Sequence, residues 1–332
     1  MPASPRQTER QSLRQNAMAI GLAFILATIL PALLRTPIVY FFYAVFPQIT
    51  ILPSGHVNAP VYLQQLMQFV LYSITMFVPF VIAMGIIKMP MRTAFPTKKP
   101  DLGLALPGVG VALGASVIGL YCSSMVSSLF SSVGVTATSP SFTAPQGAFA
   151  FILYFINVCV APAVLEEFAF RGMMMQSLRR YGDGFALILS ASLFALMHEN
   201  IPQGINAFLM GLVIGYFVLL TGSIWTGILI HFVNNALSVA VDSVLVAMSE
   251  SGAVSQTGMI LFNNIVLLVY LVIGLFCVIF LTRSRKNMFC VNHKKTQLAT
   301  GEKYRAFFSS LCLLVAVAIF VFTTIGSLRL WQ

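Results

Sequence analysis

The sequence predicts an all-α, polytopic membrane protein with about nine transmembrane helices, and three observations carry that prediction. Hydrophobic residues make up 58% of the 332 positions and charged residues only 8%, against about 25% charged in a soluble domain. A chain this apolar needs lipid around it rather than water. The apolar residues also fall in runs near 20 long, the length of a membrane-crossing helix, instead of alternating over about 10 as in a barrel strand. Finally, the basic residues cluster in alternate gaps between the runs, as cytoplasmic loops require.

The first predicted span, 17–34, follows the basic stretch MPASPRQTERQSLRQ. It is long and lacks a small-x-small cleavage site, so it reads as a membrane helix and not a signal peptide. The run PIVYFFYAVF after Arg35 either extends this span or lies at the interface. The next spans are 61–87 and 103–129, the latter carrying GVALG (Gly110–Gly114). The fourth, 147–176, and the fifth, 184–199, are joined by the basic, glycine-rich turn RRYGDG. The sixth, 203–220, carries GLVIG (Gly211–Gly215), and 223–248, 259–281 and 306–331 complete the nine. Both glycine pairs have the GxxxG spacing that lets helices approach closely, which is a packing signal.

With the N-terminus inside, the inner segments hold 16 of the 19 basic residues, including Lys88–Lys99 and the run from Arg283 to Arg305. The outer loop 131–147 has no charge. Nine spans place the C-terminus outside. This placement also explains the net charge of +10 without nucleic acid, because short basic loops orient the chain and attract anionic headgroups. The five cysteines, Cys122, Cys159, Cys277, Cys290 and Cys312, lack CxxC spacing. They indicate neither a disulfide framework nor a thiolate metal site. No internal repeat is visible, which disfavours a repeat-built transporter. The expected organisation is N-terminal helices 1–3 over residues 1–146, a core of helices 4–7 over 147–248, and helices 8–9 over 249–332.

Polar and ionisable residues inside a span are costly and mark function. Here they are Glu166, Glu167 and Arg171 in the fourth span, His198 near the end of the fifth, and His231 with Asn234, Asn235 and Asp242 in the seventh. Glu166 lies 16 residues before Gly182 and His198 lies 16 after it. An antiparallel helix pair therefore brings these two level, about 24 Å from the turn at 1.5 Å per residue. Asn235 is one helical turn from His231 on the same face. Successive helical residues point about 100° apart, so Glu166 and Glu167 are not expected to aim at one spot. Glu167 and Arg171 stand i,i+4 in the favourable order, and their pairing leaves Glu166 for chemistry. A carboxylate in a weakly solvated cavity suits general-base work. Asp242 is assigned to helix packing in preference to the cavity mouth, Phe168 and Phe170 to packing, Glu199 to outer water, and His56 and His293 to solvated loops.

The segments EEFAFR (Glu166–Arg171), FALMH (Phe194–His198) and HFVNN (His231–Asn235) occur in order on separate spans. Together they resemble the CPBP family of intramembrane proteases, also called Abi. That family includes type II CAAX prenyl endopeptidases and bacterial enzymes linked to bacteriocin processing and self-immunity. The resemblance covers about 147–240. It implies an intramembrane active-site cavity in which Glu166 activates water with help from His198, while His231 and Asn235 stabilise the oxyanion. Glu167 and Arg171 are supporting residues. Members are often named metalloproteases, and a zinc ion would draw on Glu166, His198 and His231. HENIP begins like HExxH, but Pro202 stands at the second histidine, so a metal-free glutamate mechanism is favoured over zinc. The expected partners are a peptide or protein substrate at the membrane and the lipid bilayer, with no nucleic acid. The expected location is a bacterial plasma membrane with the N-terminus cytoplasmic. The alternatives are a non-catalytic immunity or binding protein on the same scaffold, and a transporter.

Overall fold

The computed structural model describes residues 4–137, 144–284 and 296–330. Cys290, His293, the basic residues Arg285, Lys286, Lys294 and Lys295, and positions 138–143 of the outer loop lie outside the described residues. The described chain is helical apart from two small antiparallel ladders, Thr50–Ile51 with Val57–Asn58 and Val135–Ala137 with Leu328–Leu330. The helices are α1 (Pro5–Val45), α2 (Val61–Ile86), the short α3 (Met91–Ala94), α4 (Leu102–Ser132), α5 (Ala148–Tyr181), α6 (Asp183–Leu196), α7 (Ile201–Thr221), α8 (Ile224–Ser251), α9 (Gln256–Ser284), α10 (Thr300–Phe307) and α11 (Leu311–Gly326).

Among the described residues seven helices are long and apolar enough to cross a membrane: α1, α2, α4, α5, α7, α8 and α9. An eighth exists if α10 and α11, bent by 78° at their junction, form one span. The expected count of nine is therefore too high, for two reasons. The fifth predicted span is the 14-residue α6, about 21 Å long at 1.5 Å per residue and short of a hydrocarbon core of about 30 Å. The last predicted span is broken instead of continuous. The polar side of α10 is tied down where Glu302 meets Arg6 and Arg10, and Lys303 Nζ donates to the Tyr181 carbonyl at 2.7 Å. PIVYFFYAVF continues α1, which starts with a capping box between Ser4 and Gln7.

The small-residue motifs act at helix crossings. Gly114 of α4 faces Gly274 of α9, where an added Cβ would come within 3.1 Å of the Gly274 Cα. Gly211 of α7 sits against Ala191 of α6, a Cβ there meeting the Ala191 Cα at 3.0 Å. Around these crossings lies an apolar core that includes Phe24, Phe80, Phe170 and Phe217. Phe24 contacts Phe80 edge-on at 5.6 Å and Phe170 at 5.8 Å.

One end of the bundle gathers the basic segments. Asn16 Nδ2 of α1 donates to the Ser177 carbonyl, Ser223 Oγ to the Lys98 carbonyl, and Ile224 N to the Pro96 carbonyl. These bonds hold the starts of α1 and α8 and the ends of α5 and α7 beside the Lys88–Lys99 connection.

Candidate active site

The segment around Glu166 is helical but wider than an α-helix in two places. Ile156–Val160 and Glu167–Met174 are π-helical, a local form found frequently at functional sites. The first stretch precedes Pro162, which has no N–H to give the Val158 carbonyl. Asn235 Nδ2 of α8 supplies a donor to that carbonyl instead, at 3.0 Å. An unpaired buried carbonyl would be costly, so this bond ties α8 to α5 beside the site.

The second stretch carries the charges. Arg171 Nη1 donates to Glu167 Oε1 at 2.8 Å, and both side chains are almost fully buried, at 1% and 0% exposure. The pairing read from the i,i+4 spacing is therefore present. The Arg171 guanidinium also lies over the Phe194 ring, 4.5 Å from its centre. The remaining oxygen of Glu167, Oε2, is buried without a hydrogen-bond partner among the described residues. It rests against Gly227, where a Cβ would come within 2.7 Å.

The structure corrects the expected divergence of the two glutamates. Both reach the same imidazole. Glu167 Oε1 lies 2.9 Å from His231 Nδ1, and Glu166 Oε2 lies 3.8 Å from His231 Nε2. Two adjacent residues can do this because the ring offers nitrogens on opposite edges, and because the helix widens at Glu167. A carboxylate only accepts, so Nδ1 carries a proton. Glu167 thus fixes the orientation of the His231 ring as well as pairing with Arg171.

Glu166 has a second partner. Tyr72 of α2 donates its hydroxyl to Glu166 Oε1 at 2.6 Å. This bond holds one oxygen of the carboxylate in place.

His198 sits in the turn after α6. Its Nδ1 lies 2.8 Å from the Phe194 carbonyl, so Nδ1 carries the proton and the neutral ring keeps an acceptor at Nε2. Phe194 also meets the rings of His198 at 4.9 Å and His231 at 6.2 Å, edge to face.

Glu166, His198, His231 and Asn235 all line one cavity of about 650 Å³. The level placement of Glu166 and His198 inferred from the turn is consistent with this shared wall. Asp242 lines the same cavity and is exposed, so it belongs to the rim and not to helix packing. Glu199, expected in outer water, is half-buried in the turn between α6 and α7. His56 is exposed, and Phe168 and Phe170 are buried in packing, as expected.

Several polar residues of the cavity escape a reading based on charge alone. Gln65, Gln68 and Tyr72 line it from α2, and their i, i+3, i+7 spacing on one helix face was the available signal. Asn157 Nδ2 donates to both the backbone and side-chain oxygens of Gln65, each at 2.8 Å. Ser116 Oγ of α4 donates to Asn234 Oδ1 at 2.6 Å.

Zinc takes three or four protein ligands at about 2.0–2.3 Å. Among the described residues no group of three His, Cys, Asp or Glu side chains is arranged to hold a metal. Glu166 Oε1 is engaged by Tyr72, and Glu167 Oε1 by Arg171 and His231. The residues as placed therefore do not fit a zinc site built on Glu166, His198 and His231.

No curated protein and no solved structure matches the chain. Residues 148–237 match a family model described as type II CAAX prenyl endopeptidase Rce1-like, a stretch that contains Glu166, Glu167, Arg171, His198, His231 and Asn235. The chain accordingly carries an Rce1-like domain of the type II CAAX prenyl endopeptidase (CPBP) family.

Proposed function

We propose that the protein is an intramembrane endopeptidase that hydrolyses a peptide bond in a membrane-associated peptide or protein, using water activated by Glu166. The family implies a peptidase, and the buried Glu166/Glu167–His231 cluster is consistent with one. The observation that carries the reading is the position of Glu166. It is a cavity-lining carboxylate held by Tyr72 and facing an imidazole, with a second imidazole and an amide on the same wall.

In this reading residues 147–248 form the catalytic core, with Tyr72 reaching in from α2. Glu166 takes a proton from water as the water oxygen bonds to the scissile carbonyl carbon. His198 assists through its Nε2 acceptor. The carbonyl oxygen becomes an oxyanion, which His231 Nε2–H and the second N–H of Asn235 receive. Glu167 stabilises the doubly protonated His231 ring that this donation needs, much as a buried carboxylate supports an imidazolium in other hydrolases. Glu166 then returns its proton to the leaving nitrogen, the C–N bond breaks, and a carboxylic acid and an amine remain, the acid giving up its proton to the amine or to water. No step requires a metal.

Comparing secreted and membrane peptides by mass spectrometry, wild type against Glu166→Ala, tests this directly. Uncut precursors are expected to accumulate in the variant, and an identical peptide inventory would sink the proposal. On a substrate found this way, Asn235→Ala is expected to lower kcat by about 10²–10³, the effect of removing one oxyanion donor, with little change in KM. A wild-type kcat would remove Asn235 from the mechanism.

A further inference from the structure

Among the described residues, the exposed part of the cavity lining lies away from the basic end of the bundle. On α8 the side chains become more exposed with distance from the basic end. His231 is buried, Asn234 and Asn235 are half-buried, and Ser238 and Asp242 are exposed. On α2 the half-buried Tyr72 is followed, further from the basic end, by the exposed Gln68. The lining residues of α7 likewise run from Gln203 at its start to Ile214, stopping short of its end at Thr221.

Toward the basic end the cavity is closed. The fully buried layer there includes Glu167, Arg171, Met174, Phe217, Val218 and Ile230. Beyond it lie Lys98 beside Ser223, Arg179 and Arg180, and α10 with Lys303. Basic loops mark the cytoplasmic side, so the exposed part of the lining faces the opposite side of the membrane.

The wall is also suited to a particular ligand. Gln65, Gln68, Asn157, Asn206, Asn234 and Ser238 line it, amide and hydroxyl side chains of the kind that both donate to and accept from a peptide backbone. Among the described residues its carboxylates are Glu166 and Asp242, and no lysine or arginine lines it.

We infer that the cavity receives an extended peptide segment from the non-cytoplasmic face, so that the substrate is an exported peptide or the outer juxtamembrane stretch of a membrane protein. This rests on the peptidase reading for the word substrate, but the direction of access does not depend on catalysis.

Single cysteines at Ser238, in the cavity mouth, at Ser255, in the loop after α8, and at Lys99, on the basic end, test it. They are placed in a full-length protein whose five native cysteines are replaced by alanine. The probe is a membrane-impermeant maleimide, applied to intact cells and again after permeabilisation. Ser238→Cys and Ser255→Cys are expected to label in intact cells, and Lys99→Cys only after permeabilisation. Labelling of Ser238→Cys only after permeabilisation would overturn the inference, as would its failure to label in either condition, since an open mouth admits water. If the cysteine-free protein does not accumulate, the same positions are read as labelling added to that of the native-cysteine parent. Adding Glu166→Gln separates the two readings. Outside labelling with undiminished proteolysis in that variant would sink the Glu166 mechanism and leave the direction of access standing.

Discussion

Glu166→Gln is expected to cut peptide hydrolysis by about 10²–10⁴-fold, the contribution of a positioned general base, while the protein stays folded. The fold should survive because the amide oxygen of glutamine can still accept the Tyr72 hydroxyl that now bonds Glu166 Oε1 at 2.6 Å. The change also removes a buried negative charge, so it does not introduce an unpaired one. What is lost is the ability to take a proton from water. The rate is measured on purified protein in detergent or liposomes, with thermal unfolding of the same samples as the control for folding. Near-wild-type cleavage would dismiss Glu166 as the base. Collapse of stability together with activity would mean instead that the Glu166–Tyr72 bond is structural.

The carboxylate, the imidazoles and their shared layer were legible in the sequence because each depends on spacing along a single helix or a helical hairpin. The equal distances from Gly182 led to a common layer for Glu166 and His198, which line one cavity, and the i,i+4 spacing pairs Glu167 with Arg171. Tyr72 was not legible, since a tyrosine in an apolar run is ordinary. Only the packing of α2 on α5 brings it to Glu166. The convergence of both glutamates on His231 was hidden for a different reason. A rotation of 100° per residue assumes an α-helix, and the chain widens into a π-helix at Glu167. The span count failed where hydropathy is blind to backbone breaks, at the turn after Leu196 and at the bend between Phe307 and Leu311.

Arg171→Met is expected to destabilise the protein by about 3–5 kcal/mol, the cost of breaking a buried ion pair from one side. Arg171 is 1% exposed and Glu167 0%, so water cannot replace the lost guanidinium. Glu167 Oε2 already has no hydrogen-bond partner among the described residues, and the charge would be left on His231 Nδ1 alone. The pair packs behind the cavity wall, against the Phe194 ring and beside Gly227, and Glu167 holds the wall residue His231, so loosening it should disturb the site. A second change separates these roles. Arg171→Met with Glu167→Gln removes both charges and should recover most of the lost stability, because a buried pair replaced by neutral groups of similar volume is often tolerated. Activity should stay low in the double variant. The glutamine oxygen can still accept from His231 Nδ1 and keep the ring in place, but it no longer offsets the charge of a doubly protonated imidazole. Unfolding temperature and kcat, measured on the two single variants and the double, resolve the question. Recovery of stability without recovery of kcat assigns Glu167 to the reaction through His231. Recovery of both would make the Glu167–Arg171 pair a brace for the helix and nothing more.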